Sequence, residues 1–541
     1  RRPLMARKHT LPQPTPAPPA PPSPAEPARP IAVLDMGASA VRLVVAEAPP
    51  DGPPHVLEEV SRGVLLGKDT FTHGRLGAAT IEATLKALEG FRRIMDTYGV
   101  LRYRAVATSA VREATNADAF LDRVRLRTGL DVEVIDGSEE NRLTYVAVRE
   151  RLAQHPALVD GDALLIEVGG GSADISFLRK GQPSHSGTFP LGSIRMRQNL
   201  GNWQGSHEQG TRLLVRHIHN VVEDIRREMP LKEARHFIAL GGDLRFAAAQ
   251  VVGEAPAGEA PVIDRDAFIR FVDSLVGFDA DQLVEKYRLP QAQAETLVPA
   301  LLAYRELLIE TSADRVIAPD SSLRSGLLLE LSRSDEPQGI EDFRKQVLSS
   351  AAALGERYRY DAAHARNTAD LAVRLFEQLR TEHGLSDRHR LLLEVAALLH
   401  DIGNYVNIRG HHKHSQYLIA ASEIFGLSQD DMLLVSNVAR YHRRAVPSKS
   451  HLTYMALDRE ARVATNKLSA ILRLANALDA DHLQKVKDVR VITEDADWVL
   501  EVEGAGDLTM ERLATLARAD YLTEVFGRKV TFRESRPRQW P

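Results

Sequence analysis

Two separate parts of this sequence contain the same unit: an apolar strand, an acidic residue near its end, a glycine turn and a second strand. The predicted strands of the first unit are residues 31–34 and 41–46, joined through Asp35-Met36-Gly37-Ala38-Ser39; those of the second are residues 163–168 and 173–178, joined through Gly169-Gly170-Gly171-Ser172. Asp35 and Glu167 occupy corresponding positions at the strand ends. Such a repeat predicts a duplicated α/β fold in which two similar lobes face each other.

The patterns between and after the two units extend this prediction along the chain. Further strands are predicted at residues 56–60, 104–108, 131–135 and 187–189, and helices at residues 78–98, 117–127 and 138–152. Thr115 and Asp118 form a capping-box pattern at the start of helix 117–127. A mostly helical stretch follows, and after it a mixture of strand and helix patterns begins at residue 488.

These patterns divide the chain into five segments. We predict a proline-rich disordered tail (1–30), two α/β lobes (31–152 and 153–332), an all-α domain (340–485) and a small α+β domain (486–541). Of the 28 prolines, 11 fall in the tail, where they favour polyproline II conformation and prevent a packed core.

Composition excludes several classes of function. The 541 residues include no cysteine, which excludes disulfides, iron–sulfur clusters and a thiol nucleophile, and fits a reducing compartment. The net charge is -4, so no global basic field indicates nucleic acid or a membrane surface as a partner. No apolar run reaches membrane-spanning length, and no signal-peptide core follows the basic start. We therefore predict a cytoplasmic protein that meets any polyanion through local basic patches.

The two glycine turns are candidate phosphate-binding loops. Glycine allows backbone N–H groups to approach phosphate oxygens and to form an anion nest. Either turn alone is better explained as a plain hairpin, but two equivalent turns with two acids indicate a shared cleft. Facing lobes would bring Asp35 and Glu167 together. Mg²⁺ held by one or two carboxylates and by phosphate oxygens is the expected coordination there.

Two further polar groups follow strands in the first lobe. Ser109 and Arg112 come just after strand 104–108, and the planar guanidinium of Arg112 matches phosphate geometry. A solvated arginine at a helix start explains Arg112 equally well. Glu139 and Glu140 fall in a first helical turn, where acids complement the helix dipole. These residues alone leave their roles open.

Six motifs, in order, resemble those of the exopolyphosphatase / guanosine pentaphosphate phosphohydrolase family. They are Asp35-Met36-Gly37, residues 108–116, residues 137–142, residues 168–174, residues 189–195 and Gly241-Gly242. The family belongs to the acetate/sugar kinase–Hsp70–actin superfamily. The resemblance covers nearly the whole chain from Ile31. It implies a duplicated actin-like (ribonuclease H-like) two-lobe fold, an HD-like helical domain and a small terminal domain.

The resemblance also implies roles for individual residues. Glu140 corresponds to the catalytic base that orients water, Arg112 acts with it at the phosphate, and Mg²⁺ (or Mn²⁺) is the cofactor. The acids of the metal cleft are Asp35, Glu167 and Asp174. The phosphate-binding positions are Gly37, Ser39, Ser109, Gly169, Gly170, Gly171, Ser172, Gly192, Ser193, Gly241 and Gly242.

The sequence departs from the family pattern at two places. The family usually has Asp at position 167 and Glu at position 174, so the two acids are exchanged in type here. The first loop usually reads Gly-Ser-Asn-Ser, whereas Ala38 and Ala40 lack side-chain phosphate donors. A catalytically weak phosphate or nucleotide sensor is therefore an alternative to an enzyme.

The helical domain is similar to HD-type metal phosphohydrolases. His364 lies on one predicted helix and His400-Asp401 closes another, and imidazole and carboxylate can share a divalent metal. HD enzymes have Asp at the position of Asn476, which weakens the case for a metal, although Asp479 is a substitute candidate. In this family the domain is mostly a structural and substrate-channel module.

Basic residues form two clusters in the same domain. They are His411, His412, Lys413 and His414, and Arg440, His442, Arg443 and Arg444. Solvated loop charge and a polyanion track to the cleft both explain them. The candidate residues of a second metal site or polyphosphate track are His364, His400, Asp401, Asp479, His412, His414, His442 and Arg443.

The sequence as a whole predicts an Mg²⁺-dependent exopolyphosphatase that hydrolyses the terminal phosphate of inorganic polyphosphate. Hydrolysis of guanosine pentaphosphate (pppGpp) is the main alternative, because both substrates end in a phosphoanhydride. No nucleic-acid or membrane partner is expected. A homodimer is expected from the resemblance.

Overall fold

The fold is described from a computed structural model of the chain. The structure describes residues 29–49, 52–153, 155, 161–199, 207–253, 256, 259–333, 337–494 and 497–534. Most of the predicted tail (1–30) lies outside these residues, but Arg29 and Pro30 already belong to the first strand. The first strand therefore begins two residues before the predicted start of the first lobe, and the domain boundary itself stays a prediction. Pro30 is tolerated because this strand pairs on its second side only from Ile31 onward.

The first lobe is built on a five-stranded sheet. Its strands are β1 (Arg29–Met36), β2 (Ala40–Ala48), β3 (His55–Gly63), β4 (Arg102–Ala107) and β5 (Glu133–Val134). Their order is β3-β2-β1-β4-β5, with antiparallel pairing from β1 to β3 and parallel pairing from β1 to β5. Successive residues of β1, such as Val33 and Leu34, point to opposite faces of the sheet and belong to separate apolar clusters. Both faces of the sheet are therefore covered.

The second lobe repeats this arrangement. Its strands are β6 (Ala163–Val168), β7 (Ala173–Arg179), β8 (Gln182–Phe189), β9 (His236–Leu240), β10 (Val262–Asp264) and β11 (Arg315–Ile317). Their order is β10-β11-β9-β6-β7-β8, with β6, β7 and β8 antiparallel and β6, β9 and β11 parallel. Apart from the additional edge strand β10, the order and directions match the first sheet. The predicted duplicated actin-like fold is confirmed.

The two glycine turns have the same geometry. In the first, the N–H of Gly37 donates to the carbonyl of Ala40 at 3.1 Å. In the second, the N–H of Gly169 donates to the carbonyl of Ser172 at 2.9 Å. Each turn therefore closes a tight hairpin between the first two strands of its sheet.

The sheet registers also place the two acids at equivalent positions. Asp35 on β1 is the cross-strand partner of Arg42 on β2, and Glu167 on β6 is the partner of Asp174 on β7. The predicted correspondence of Asp35 and Glu167 is therefore confirmed. The registers add Arg42 and Asp174 as a second equivalent pair, of opposite charge.

Helices connect the strands and cover the sheets. Those of the first lobe are α1 (Leu66–His73), α2 (Ala78–Thr97), α3 (Ser109–Arg112), α4 (Ala117–Thr128) and α5 (Gly137–Arg151). Those of the second are α6 (Ser193–Asn199), α7 (His207–Glu228), α8 (Gly242–Val252), α9 (Arg265–Leu275), α10 (Ala280–Tyr287), α11 (Gln291–Ile309) and α12 (Leu323–Arg333), with a 3-10 turn at Leu231–Glu233. Helix α12 returns to the first lobe and packs against α5.

The capping box predicted for α4 is wrong. The helix is preceded by Asn116 at the N-cap position, and no side-chain hydrogen bond caps it there. Asn116 instead binds the backbone of Leu76: its Oδ1 accepts the N–H at 2.9 Å, and its Nδ2 donates to the carbonyl at 3.0 Å. A contact between segments that are distant in sequence therefore determines this helix start.

A helical region follows the two lobes. Its helices are α13 (Pro337–Arg357), α14 (Ala362–Gln378), α15 (Arg380–His383), α16 (Asp387–Leu399), α17 (His411–Ala420), α18 (Gln429–Arg440), α19 (Leu452–Met455) and α20 (Arg459–Ala477), with a 3-10 turn at Ile402–Tyr405. Most of their buried side chains belong to one apolar cluster, and Tyr441, Tyr454 and Leu457 form a second, smaller one. In the described part of the chain, no helix has both the length and the apolar character needed to cross a membrane.

A small sheet with one helix ends the described chain. Its elements are β12 (Val486–Glu494), β13 (Asp497–Gly504), α21 (Thr509–Phe526) and β14 (Val530–Glu534), and its strand order is β12-β13-β14. Trp498 and Leu500 belong to the same apolar cluster as the helical region. The domain boundary after residue 485 stays a prediction, as do the boundaries at residues 152 and 332.

The helical region contacts the start of α5 directly. The backbone N–H of Gln429 donates to Oδ2 of Asp136 at 3.1 Å. The hydroxyl of Ser138 donates to the carbonyl of Leu427. These bonds join the loop before α18 to the first turn of a helix in the first lobe.

Candidate active site

The start of α5 positions the predicted catalytic base. Asp136 caps the helix: its Oδ1 accepts the N–H of Glu139 at 3.1 Å, and its carbonyl accepts that of Glu140 at 3.0 Å. The helix dipole stabilises acids in this turn. Glu139 points to Arg104 and Arg142, with which it forms ion pairs. Glu140 is only 8% exposed and faces the other acids of the cleft.

Arg112 holds the carboxylate of Glu140. It is the last residue of α3, the short helix after β4. Its Nη1 donates to Oε1 of Glu140 at 2.7 Å and also to the carbonyl of Ile135. The ion pair fixes the orientation of the carboxylate, and the guanidinium has further N–H donors besides those of Nη1. The predicted contact of Arg112 with phosphate stays a prediction.

Burial gives Glu140 a basicity suited to neutral pH. Desolvation, with added repulsion from Asp35 and Glu167, raises the pKa of Glu140 to about 7, although the charge of Arg112 acts in the opposite direction. A general base works best when its pKa lies near the working pH, because it is then both deprotonated and basic enough.

Three more carboxylates belong to the cleft. Oε2 of Glu167 accepts the hydroxyl of Thr144 at 3.1 Å, and Oδ1 of Asp174 accepts the hydroxyl of Thr188 at 2.9 Å. Burial raises the pKa of Glu167 and of Asp174. Asp35 raises the pKa of Glu167 further, and Glu167 does the same to Asp174. A cation in the cleft would offset this mutual repulsion.

The acids of the cleft suit a hard divalent cation whose coordination phosphate completes. Its candidate ligands Asp35, Glu167 and Asp174 offer only carboxylate oxygens, which Mg²⁺ prefers. Within the described ranges, the groups of three ligand side chains whose atoms lie within 4.8 Å of one another are in the helical region rather than here. The cleft therefore suits an ion with few protein ligands that takes the rest from phosphate and water.

Asp35 is held by two arginines that the sequence analysis did not identify. Nη1 of Arg42 lies 3.4 Å and Nη1 of Arg324 lies 3.3 Å from Oδ2 of Asp35. Arg42 is the cross-strand partner in the β1–β2 hairpin, so a correct hairpin register would have revealed it. Arg324 lies on α12, 289 residues further along the chain, and no local pattern indicates it.

The two glycine loops pack against each other. A Cβ atom at Gly170 would lie 2.9 Å from the Cβ of Ala38, and one at Gly171 would overlap the hydroxyl of Ser109. The structure therefore brings four predicted elements together: the first loop, the second loop, α3 and the start of α6. Ala38 is buried in this junction, which gives its small side chain a packing role.

Backbone groups fix both loops in place. Gly37 closes its own turn, and the carbonyl of Ser39 accepts the N–H groups of Val64 and Leu65, both at 3.2 Å. The N–H of Ser193 donates to the carbonyl of Gly169 at 2.9 Å. The second loop thus rests on the first turn of α6.

Gly192 and Gly241 occupy positions that other residues would not fit. A Cβ at Gly192 would overlap the backbone of Gly171 and Ser172. Gly241 is the N-cap of α8 with a φ of 111°, a conformation that favours glycine. Its neighbour Gly242 has open space around it. Phosphate contacts at all these positions stay predictions.

Two cavities flank the start of α5. One of about 670 Å³ is lined by Arg112, Asp136 and residues of α18. The other, of about 370 Å³, is lined by Thr188 and by residues of α13. Because Arg112 binds Glu140 and Thr188 binds Asp174, each cavity reaches a residue in contact with the cleft acids.

Comparison with known proteins identifies the family. A model of the Ppx/GppA phosphatase family matches residues 44–335, and a model of Ppx/GppA phosphatase domain III matches residues 348–519. The chain belongs to the Ppx/GppA phosphatase family. It is therefore an enzyme that hydrolyses phosphoanhydride bonds, and the resemblance inferred from the motifs is confirmed.

Relatives in the Ppx/GppA family carry two different names. Exopolyphosphatase 1 of Mycobacterium tuberculosis is 28% identical over 344 residues, which is 60% of this chain and 94% of that protein. A guanosine-5'-triphosphate,3'-diphosphate pyrophosphatase of Vibrio parahaemolyticus is 23% identical over 432 residues, 77% of this chain and 81% of that protein. The crystal structure of an exopolyphosphatase from Cytophaga hutchinsonii, 23% identical, covers 57% of this chain and 98% of its own with a TM-score of 0.52, which supports the fold.

In this Ppx/GppA phosphatase, the residues predicted for a second site fall into three groups. The first group is buried together and consists of His364, His400, Asp401 and His442. Asp479 lies behind His364, and its Oδ2 accepts the Nδ1–H of His364 at 2.7 Å. The third group lies outside the cluster: His412 and His414 are half-buried and Arg443 is exposed.

The structure adds His411 to the buried group. The sequence pattern places His411 in a basic cluster, but its Nε2 lies 3.3 Å from Oδ1 of Asp401 and 3.2 Å from Nε2 of His442. The predicted polyanion track thus has fewer exposed members than the sequence suggested. The only sequence signal for this role of His411 is its position in a histidine-rich run.

Proposed function

We propose that this Ppx/GppA phosphatase is an exopolyphosphatase, which removes the terminal phosphate of inorganic polyphosphate by direct attack of water. The observation that carries the proposal is the ion pair of the buried Glu140 with the half-buried Arg112, beside Asp35, Glu167 and Asp174. A carboxylate with a pKa near 7, next to a guanidinium and a cation-binding set of acids, is equipped to activate water against a phosphate.

The reaction is a single displacement at the terminal phosphorus. The carboxylate of Glu140 accepts a proton from water as the water oxygen bonds to phosphorus, and the bridging oxygen leaves with the shortened chain. Arg112 keeps the carboxylate in position and offers its remaining N–H groups to the transferred phosphate. Positioning and charge neutralisation supply most of the acceleration in phosphoryl transfer.

In this proposal, the cleft acids and the glycine loops bind and neutralise the negatively charged substrate, the acids through a cation and the loops through backbone N–H groups. Asp35, Glu167 and Asp174 would hold Mg²⁺ (or Mn²⁺), which neutralises phosphate charge when bound. The two loops present backbone N–H groups to the phosphate chain at the junction between the lobes.

We favour polyphosphate over pppGpp as the substrate. The exopolyphosphatase relative is 28% identical over 60% of this chain and the pppGpp pyrophosphatase is 23% identical over 77% of it, so identity favours the first and coverage the second. The exposed cations that remain near α17 and α18, Lys413, Arg443 and Arg444, also favour a long polyanion. We include a cytoplasmic location, a homodimer and the absence of a nucleic-acid partner in the proposal.

The substrate preference is tested by phosphate release from defined substrates. With Mg²⁺ present, long-chain polyphosphate is expected to be hydrolysed faster than pppGpp at equal concentrations of terminal phosphate. With EDTA, release from both should stop, because the cleft acids then repel the substrate. Turnover of pppGpp without turnover of polyphosphate would replace the proposal with the pppGpp phosphohydrolase alternative.

The pH dependence tests the role of the ion pair. Glu140 acts in its deprotonated form, so kcat/KM is expected to rise with pH, with an acid-limb midpoint near its pKa of about 7. In Arg112→Met the midpoint should move to higher pH, because Arg112 lowers the pKa of Glu140. Arg112→Lys, which keeps the charge, should shift it less. An unchanged midpoint in Arg112→Met would contradict the assignment of Glu140 as the titrating base.

A further inference from the structure

The helical region contains a buried cluster of imidazoles around one carboxylate. His364 lies on α14, His411 at the start of α17 and His442 directly after α18, while His400 and Asp401 follow α16. The four histidines are between 0% and 5% exposed. This cluster is separate from the acids of the cleft and has no part in the reaction proposed above.

Hydrogen bonds fix the tautomer of all four rings. The Nδ1 atoms of His400, His411 and His442 bind the carbonyls of Ala397, Ile408 and Ala439 at 2.7, 3.0 and 2.6 Å, and Nδ1 of His364 binds the carboxylate of Asp479 at 2.7 Å. Carbonyls and carboxylates only accept, so each Nδ1 carries the proton. In the neutral ring, each Nε2 is then left with a free lone pair.

These lone pairs converge. The Nε2 atoms of His364 and His400 are 3.3 Å apart, and those of His411 and His442 are 3.2 Å apart. Oδ1 of Asp401 lies between the pairs, 3.3 Å from His411, 3.4 Å from His442 and 3.8 Å from His400. This oxygen is buried and has no hydrogen-bond donor.

Such an arrangement of acceptors is unfavourable without a cation. Protonation of the imidazoles would place positive charge in a buried site, which desolvation opposes. A buried acceptor without a donor is destabilising, so the cluster requires another partner. A metal ion about 2.1 Å from each nitrogen would bring nitrogens to the separations seen here.

We propose that His364, His400, Asp401, His411 and His442 form a binding site for a divalent transition-metal ion. Asp401 lies between the two imidazole pairs, so the site has room for one ion on each side of this carboxylate. Imidazole ligands favour ions such as Zn²⁺, Fe²⁺ or Co²⁺, whereas the carboxylate cleft favours Mg²⁺. The chain would then hold two metals of different chemistry in two places.

The surrounding residues support a metal site. The hydrogen bonds from Nδ1 to carbonyls and to Asp479 are the outer contacts that orient metal-binding histidines. Asn476, whose identity weakens the case at the sequence level, is not needed, because five other side chains supply ligands. Asp479 orients His364 and is not itself a ligand in this arrangement.

The test is cobalt binding by the full-length chain. The protein is loaded with Co²⁺ in excess Mg²⁺, which occupies the carboxylate cleft, and free metal is then removed. The wild-type chain is expected to retain at least one Co²⁺ ion and to show the visible absorption of imidazole-bound cobalt. Wild-type protein that retains no cobalt would overturn the proposal.

Variants assign the cobalt to this cluster. Asp401→Asn and His442→Ala should lose the absorption, and Asp479→Asn should weaken cobalt affinity by about 10–100-fold. His412→Ala, next to His411 but outside the cluster, is the matched control and should bind cobalt like the wild type. Wild-type cobalt content in both Asp401→Asn and His442→Ala would also overturn the proposal. If His442→Ala does not fold, the cobalt affinity of Asp479→Asn decides instead, because this substitution hardly changes the size of the side chain. An affinity equal to that of the wild type would then overturn the proposal.

Discussion

Glu140→Gln is expected to lower the rate of phosphate release from polyphosphate by about 10²–10⁴-fold. The amide cannot accept a proton from water, whereas its size and its contact with Arg112 are kept. Binding should change little, so the loss is expected in kcat rather than in KM. The measurement is steady-state phosphate release with Mg²⁺, together with thermal unfolding to show that the variant is folded.

Glu139→Gln is the matched control for this variant. Glu139 is the adjacent residue in the same helical turn, but it forms ion pairs with Arg104 and Arg142 away from the cleft. Its replacement should reduce stability more than activity. Equal rates for Glu140→Gln and the wild type would contradict the catalytic assignment. A wild-type chain without hydrolysis would favour the phosphate-sensor alternative.

Gly192→Ala is expected to have the largest effect on the junction of the loops. An added Cβ would overlap the backbone of Gly171 and Ser172, which cannot rotate away as a flexible side chain can. We expect the free energy of unfolding to fall by about 1–3 kcal/mol or more. Displacement of the second loop should also lower kcat/KM by about 10²-fold. Denaturant unfolding and phosphate release measure the two effects.

The same substitution at Gly90 serves as the control. Gly90 lies inside α2, where the nearest atom to an added Cβ is the end of a flexible arginine at 3.9 Å. Gly90→Ala should stabilise the chain by about 0.5–1 kcal/mol, because alanine favours the helix interior, and should leave kcat unchanged. A destabilisation of similar size in both variants would mean that the contacts at Gly192 do not explain its effect.

Local sequence patterns were sufficient to predict the architecture of the two lobes. Strand, acid, glycine turn and strand recur along the chain, and the observed sheets have matching orders and registers around both turns. The pattern was informative because glycine and alternating burial act within a few residues. The capping box predicted at Thr115 is wrong because a local pattern does not include distant contacts. Its residue types match the pattern, but the side chain of Asn116 binds the backbone of Leu76 instead of capping the helix.

Contacts between distant segments could not be predicted in this way. Arg324 reaches Asp35 from α12, and His411 contacts His442, which follows a different helix, so both contacts join segments that are far apart in the sequence. The basic pattern around His411 indicated a charged surface, whereas the fold buries this imidazole. A side chain's charge and its chemistry as a ligand are both present in the sequence, and only the packing decides which is used.

Asp136 has a consequence for how the catalytic base is supported. One oxygen of its carboxylate caps the helix that carries Glu140, and the other accepts the N–H of Gln429 from the helical region. A single side chain thus transmits the position of the helical region to the catalytic helix. A displacement of that region by a few ångströms would disrupt the hydrogen bonds in the first turn of α5. The orientation of the Glu140 carboxylate, which we propose activates water, would then be less well defined. The helical region is in this sense a mechanical support of the proposed reaction.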